Sequence, residues 1–297
     1  MKGKKMEVIR AKDKMRQVAE DWRREGLVVG FVPTMGALHD GHLSLIRRCV
    51  AECDRCVVSI YVNPTQFGPT EDFKQYPRPF EEDVRKCADA GVHCVFAPTD
   101  EQMYPAGFGT YVEPHKELSG CMCGAHRPGH FRGVCTIVAK LFNIVRPHRA
   151  YFGQKDYQQF LILKRMVDDL DFGVEMVLCD IVREPEGLAL SSRNTYLSEQ
   201  ERKEALCLRK ALRAAADAVA AGERNAEKIL NAARNVLKKY PSVKVQYLEL
   251  RDASTLKPVV LLDKTAVLGI AVYVGRTRLI DNVLLAPGRG EVGADDV

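Results

Sequence analysis

No stretch of this sequence approaches the roughly 18 consecutive apolar residues that would cross a bilayer as a helix. The longest apolar run, at 266–275, is about half that length and reads as a buried strand. The N-terminal MKGKKMEVIRAKDKM has no apolar segment between its charges, so no secretory signal is expected. One-sided charge is missing too. The 44 Lys and Arg against 39 Asp and Glu leave a surplus of +5, which tolerates a small anionic substrate but falls short of the dense basic stripe of a nucleic-acid binder. Internal repeats and low-complexity tracts are absent. The single tryptophan, Trp22, falls in a helical stripe with Met15, Val18 and Ala19 and reads as a core face. Cysteines are plentiful, but they lack the arrangement of a disulfide framework. Ten are scattered over 297 residues, mostly inside apolar patterns, as reduced core thiols of a cytoplasmic protein would be. Cys121, Cys123, His126 and His130 lie close together, yet one C-x-C is a poor match to the two separated ligand pairs of structural zinc.

What the sequence does contain is alternation. Over the first 180 or so residues short apolar runs take turns with helical patterns. Strands are predicted from Leu27, Val57, His93, Arg149 and Val174; helices are predicted over 43–53, 80–90, from Gly133 and from Asp156. This is the pattern of an α/β domain, a Rossmann-like parallel sheet with helices on both faces. From about residue 182 the character changes. Two helical patterns, 198–221 and 225–239, precede three strand-like runs, and Ser198 with Glu201 makes a capping box. The expectation is a first domain over 1–181 and a smaller α+β domain over 182–297, with the Gly-rich tail from Pro287 frayed.

Four segments carry chemistry. In VPTMGALHDGHLSLIRR, from Val32, a strand gives way to a Gly-bearing turn and a helix that begins near Gly41 or His42. Free backbone N–H groups and the helix dipole favour phosphate there, and His39 and His42 can add donors. A turn with two solvent-facing histidines is the plainer reading of that segment alone. In REPEGLALSSRN, from Arg183, the residues Ser191, Ser192 and Arg193 offer hydroxyls, amides and a guanidinium to a polyphosphate. In AYFGQKDYQQF, Lys155 sits at a helix start, where a cation opposes the dipole unless an anion is near; Gln159 lies one turn on. In YVNPTQFGPTEDFKQYPRPFEED, Asn63 and Gln66 follow the carboxyl end of a strand, where open α/β sheets bind ligands, and the rest of the segment reads as a mobile lid over 67–83.

The His-x-Gly-His spacing after a strand resembles the HIGH signature of the nucleotidyltransferase superfamily. Taken in order, PTMGALHDGH, NPTQFG with YPR, RPGHFRGV, FGQKDYQQ and REPEGLALSSRN resemble the motifs of the pantothenate synthetase (pantoate–β-alanine ligase) family, from about residue 32 to 197. The resemblance implies a cytoplasmic homodimer that condenses (R)-pantoate with β-alanine through a pantoyl-adenylate. Its reactants are small molecules, ATP and Mg²⁺ among them, with no nucleic acid and no membrane as partner. Carried over by position, it implies that Met35, Gly36, Ala37, Leu38, His39, Asp40, Gly41 and His42 line the ATP site, with His42 as proton donor. Gly153, Gln154, Lys155 and Asp156 would hold ATP as well, Val182 would meet adenine, and Leu190 with Ser191, Ser192 and Arg193 would close over the triphosphate. Pantoate would rest on Gln66 and Gln159, supported by Asn63, Pro33, Thr34 and Met35, with Arg127 and His130 at the entrance. His39, His42, Lys155, Ser191, Ser192 and Arg193 would do the catalytic work.

Two positions depart from the family pattern. Leu190 stands where Met is frequent, a swap of similar volume. The acidic pair suspected of holding Mg²⁺ is Glu82 with Asp83. Two other functions fit the residues less well. Transfer of a nucleotide to a phosphorylated acceptor would call for more arginines than the glutamine-lined pocket offers. An RNA-binding module would call for a stronger basic surface.

Overall fold

The computed structural model describes residues 6–69 and 71–296; residues 1–5 of the N-terminal segment, Thr70 of the expected lid and Val297 of the expected frayed tail lie outside them. In chain order these residues form β1 (Glu7–Ile9), α1 (Lys12–Arg24), β2 (Val29–Thr34), α2 (Asp40–Glu52), β3 (Arg55–Ile60), α3 (Phe80–Asp89), β4 (Cys94–Phe96), α4 (Asp100–Met103), α5 (Lys116–Ser119), α6 (Met122–His126), α7 (His130–Val145), β5 (Arg149–Gly153), α8 (Tyr157–Asp169), β6 (Glu175–Cys179), α9 (Glu199–Ala205), α10 (Cys207–Ala220), α11 (Ala226–Leu237), β7 (Lys244–Asp252), β8 (Ala266–Val274), β9 (Thr277–Ala286) and β10 (Gly290–Val292). They divide into two compact units. The first comprises Met1–Pro114, Arg127–Gly153 and Ile162–Cys179. The second comprises His115–His126, Gln154–Leu161 and Asp180–Val297, and so takes in α5, α6 and the first residues of α8.

In the first unit six parallel strands run in the order β1-β4-β3-β2-β5-β6, as the α/β pattern predicts. Successive residues of a strand face opposite sides. Val32 on β2 joins a core with Ile46 and Cys49 of α2 and Cys87 of α3. Its neighbour Phe31 meets Phe142 of α7 edge-on, with ring centroids 6.3 Å apart. Both faces are therefore covered, which is why these strands read as unbroken apolar runs. α7 is apolar nearly all round and buried along most of its length. The strand order reverses direction between β2 and β5, so the crevice beyond their carboxyl ends is the expected ligand position of such a sheet.

The second unit is an antiparallel sheet, β10-β9-β8-β7, with α9, α10 and α11 sharing one apolar core against it. Three details differ from the sequence expectation. The helix expected over 198–221 is broken at Leu206 into α9 and α10, with no glycine or proline to announce the break. The tail expected to fray instead forms β10, which pairs with β9, and Asp180 accepts from the Ala294 N–H at 2.7 Å. The three-residue β1, outside the predicted elements, pairs with β4 at the sheet edge. The capping box of Ser198 and Glu201 is present.

Candidate functional site

β2 ends at Thr34, and the chain turns sharply before α2. Gly36 and Ala37 both adopt positive φ, +81° and +51°. The second of these is unusual for a residue with a Cβ and needs support from its surroundings. That support is Asp83, fully buried in the first turn of α3. Its Oδ2 accepts from the Ala37 N–H at 2.8 Å and its Oδ1 from the Leu38 N–H at 2.7 Å. Lys86 Nζ donates to the Leu38 carbonyl at 2.6 Å. Burial pushes the Asp83 carboxyl above the usual range, and the two amides only partly offset this.

The turn delivers His39 to the N-cap of α2, whose first residue, Asp40, comes one position before the expected start at Gly41. His39 Nδ1 accepts from the Gly41 N–H at 3.2 Å, and His42 Nδ1 accepts from the His39 N–H at 3.4 Å. The two rings lie 4.1 Å apart. Because both Nδ1 atoms accept, the neutral imidazoles carry their protons on Nε2. Two N–H donors at a helix N-terminus form the arrangement that favours an anion.

Beyond β3, Asn63 is buried and fully engaged. Its Nδ2 donates to Gln66 Oε1 and to the Gly133 carbonyl, both at 3.1 Å. Its Oδ1 accepts from Tyr104 at 2.7 Å and from Thr65 at 3.0 Å. Asn63 thus sets the Gln66 side chain, whose Nε2 lies 2.9 Å from Met35 Sδ. Arg127 forms a fork onto Glu71, with both contacts at 2.7 Å, and donates to His130 Nε2 at 2.9 Å. The opposite ring nitrogen, which then carries the proton, donates to the Gln66 carbonyl at 2.8 Å. A cleft of about 270 Å³ opens beside these groups, lined by Gln66, Phe67, Tyr111, His130 and Arg132.

Burial raises the Glu71 carboxyl, but the hydrogen bonds and charge of Arg127 outweigh it and hold the group below the usual range. A depressed carboxylate contributes stability above its unfolded value, near 4.5, and loses it as pH falls through the lower folded value. Glu71→Gln is therefore expected to cost about 1–3 kcal/mol at neutral pH, with the difference vanishing in acid. Denaturant unfolding of both proteins at several pH values checks this; a difference independent of pH would contradict it.

The carboxylates of Glu82 and Asp83 both meet groups of the protein itself. Asp83 faces the 36–38 turn, and Glu82 pairs with Lys86 at 2.7 Å. Among the described residues no group of three or more His, Cys, Asp or Glu side chains is arranged to hold a metal. Asp83→Asn leaves one of the two amides facing another donor. We expect it to cost about 1–3 kcal/mol of stability, read as a lower denaturant midpoint; an unchanged midpoint would mean that the turn does not depend on this carboxylate.

In the second unit Lys155 sits in a 3-10 turn, Gln154–Asp156, just ahead of α8, with Asp156 Oδ2 at 3.9 Å. Gln159 lies half-buried on the first turn of α8. The 182–190 segment folds back on itself: the Leu190 N–H reaches the Val182 carbonyl at 3.0 Å, and the Glu184 N–H reaches that of Leu188 at 2.8 Å. Ser191 caps the following turn, Ser192–Tyr196, by accepting from the Arg193 N–H at 3.3 Å. Asn194 braces the loop through Glu184 Oε1 at 2.9 Å and the Ala189 carbonyl at 3.1 Å, and Glu184 pairs with Arg202.

Each unit thus gathers its own share of the candidate residues: Met35, His39, His42, Asn63, Gln66, Arg127 and His130 in the first, and Lys155, Gln159, Val182, Leu190, Ser191, Ser192 and Arg193 in the second. Sequence reasoning missed Glu71, the turn-holding contacts of Asp83, and Asn194. An acid inside the first turn of a helix, as at Asp83, was the available signal, though its partners lie more than 40 positions away.

The family model described as pantoate-beta-alanine ligase matches residues 7–284. The pantothenate synthetase of Thermotoga neapolitana is 54% identical over 280 residues, covering 94% of this chain and all of that one. Among solved structures, pantothenate synthetase from Thermus thermophilus aligns with a TM-score of 0.90 at 44% identity, over 95% of this chain and all of that one. The pantoate-beta-alanine ligase of Francisella tularensis, solved with β,γ-ATP and β-alanine, aligns with a TM-score of 0.77 at 34% identity, over 94% and 97% of the two chains.

Proposed function

The chain belongs to the pantoate–β-alanine ligase family, and on that premise we propose that its residues activate pantoate as an acyl-adenylate. It is a ligase that joins pantoate to β-alanine through a C–N bond at the expense of ATP. The observation that carries this is likeness along nearly the whole chain, with half of all positions identical. Nothing favours transfer of a nucleotide to a phosphorylated acceptor.

The proposed reaction has two steps. A carboxylate oxygen of (R)-pantoate attacks the α-phosphorus of ATP, the bond to the β-phosphate oxygen breaks, and pyrophosphate leaves. The amine of β-alanine then attacks the activated carbonyl, the acyl–oxygen bond breaks, AMP leaves and the amine gives up a proton. No protein nucleophile is needed, because the adenylate is already an activated ester. Positioning and charge stabilisation do the work. His39 and His42 present Nε2–H groups from the start of α2 to the phosphates, with His42 as proton donor. Lys155, Ser191, Ser192 and Arg193 act on the same triphosphate, and Val182 meets adenine through its backbone. Gln66 and Gln159 hold pantoate, and Gln66 also meets β-alanine. The contacts of Asn63 support a role in setting Gln66, and those of Arg127 and His130 a role in bracing the loop after it.

Mg²⁺, which neutralises triphosphate charge, is proposed to ride on the phosphates themselves rather than on Glu82 and Asp83. Residues 1–181 are proposed to bind nucleotide and pantoate and residues 182–297 to act as a lid, in a cytoplasmic homodimer. The test is product analysis. AMP is expected to form one-for-one with the amide and to require ATP, pantoate and β-alanine together. Appearance of ADP instead would overturn the adenylate reading.

A further inference from the structure

Asp and Asn are rare in strand interiors, and burying either is costly unless every polar atom finds a partner. β9 nevertheless carries both in succession, inside the apolar run LIDNVLL, and each is only 3% exposed. We propose that Asp281 and Asn282 are positioning residues for the adenylation step, fixing the Lys155 turn and the loop that carries Ser191, Ser192 and Arg193 from two consecutive positions of one strand. The proposal rests on the reading of those residues as triphosphate ligands.

The contacts are complete on both side chains. Asn282 Nδ2 donates to the carbonyls of Gln154 and Lys155, both at 2.9 Å, and its Oδ1 lies 3.3 Å from Gln154 Nε2. The backbone of the lysine-bearing turn is therefore held at two successive peptide groups. Asp281 receives a two-pronged guanidinium from Arg183, at 2.7 and 3.0 Å, and its Oδ1 also accepts from the Asn282 N–H at 2.8 Å. Arg183 in turn donates to the Gly187 carbonyl at 3.2 Å, inside the fold-back that ends at Leu190. Consecutive Cα atoms are about 3.8 Å apart, so the two anchors have almost no freedom relative to each other. A buried ion pair adds little net stability over an apolar pair of the same shape, whereas it does specify one geometry. Breaking the local rules of a strand in this way is the usual mark of a functional constraint.

The experiment has two readings. Amide hydrogen exchange on the ligand-free protein is expected to speed up at 154–157 in Asn282→Ala and at 183–190 in Asp281→Asn; unchanged exchange in both overturns the proposal. Single-turnover pyrophosphate release is then measured for Asn282→Ala, Lys155→Ala and the double variant. Asn282→Ala is expected to lose about 30-fold by itself but less than about threefold when Lys155 is already alanine, because residues acting through one group are not additive. Equal losses in both backgrounds would mean a general structural role and overturn the proposal. A harmless Lys155→Ala would instead sink the reading of Lys155, and the exchange data would still judge the anchors. Should Asn282→Ala fail to fold, Asn282→Ser keeps one donor and is expected to fall between alanine and the parent.

Discussion

Lys155→Ala is expected to lower pantoate-dependent pyrophosphate release by about 10²–10³-fold, the usual cost of removing one donor aimed at developing charge. The lysine stands in a local conflict. A cation at the start of a helix opposes the helix dipole. Lys155 stands in the 3-10 turn that leads into α8, and its nearest carboxylate, on Asp156, is 3.9 Å away, beyond hydrogen-bond length. The side chain is mostly covered, at 22% exposure, and the half-exposed Asp156 offsets little of that cost at such a distance, so a closer anion is favoured. A triphosphate there would resolve the conflict, and in the proposed mechanism the contact would tighten as charge moves onto the departing pyrophosphate, so kcat is expected to fall more than ATP binding does. Single-turnover measurement at saturating ATP isolates the step. Unchanged release would remove Lys155 from the mechanism.

Gly133→Ala is expected to be nearly as damaging, although the residue touches no substrate. A Cβ at that position would lie 2.3 Å from the Thr65 carbonyl oxygen, 2.6 Å from its carbon and 2.7 Å from Gln66 Cα. All three are backbone atoms, and α7 is too deeply packed to retreat, so the turn at Pro64–Gln66 must move. Displacing Gln66 by about 1 Å is expected to cost about 10²-fold in kcat/KM for pantoate, with a stability loss of about 1–3 kcal/mol from overpacking. Loss of the hydrogen bond from Asn63 to the Gly133 carbonyl would add to it. Steady-state kinetics with pantoate varied, beside a thermal melt, checks both. An alanine variant with unaltered pantoate kinetics would mean that this close approach does not set Gln66.

The positions of these groups along the chain were easier to read than their partners. The apolar runs at β2, β3 and β5 and the helix start at α2 are local signals, and the structure places them within a residue or two of expectation. Gly133 could also have been noticed, since a glycine inside an apolar helical run usually marks a close approach. Asp83 could not be read so easily. An acid in the first turn of a helix is common, and only the fold brings it to the amides of Ala37 and Leu38. The same holds for Glu71 with Arg127 and for Asn282 with the Lys155 turn, whose partners are 56 and 127 positions apart. The Gly-rich tail was misread for a different reason: Gly288 takes positive φ in the turn before β10 and Gly290 takes it as the first residue of that strand, where flexibility was expected.

The central claim is that pantoate is activated before the amine takes part. Exchange of labelled pyrophosphate into ATP, with β-alanine omitted, measures this directly. The expected result is exchange that requires pantoate and ATP and proceeds without the amine. Exchange that appears only once β-alanine is supplied would contradict a free-standing pantoyl-adenylate and, with it, the roles assigned to His42, Lys155 and Arg193.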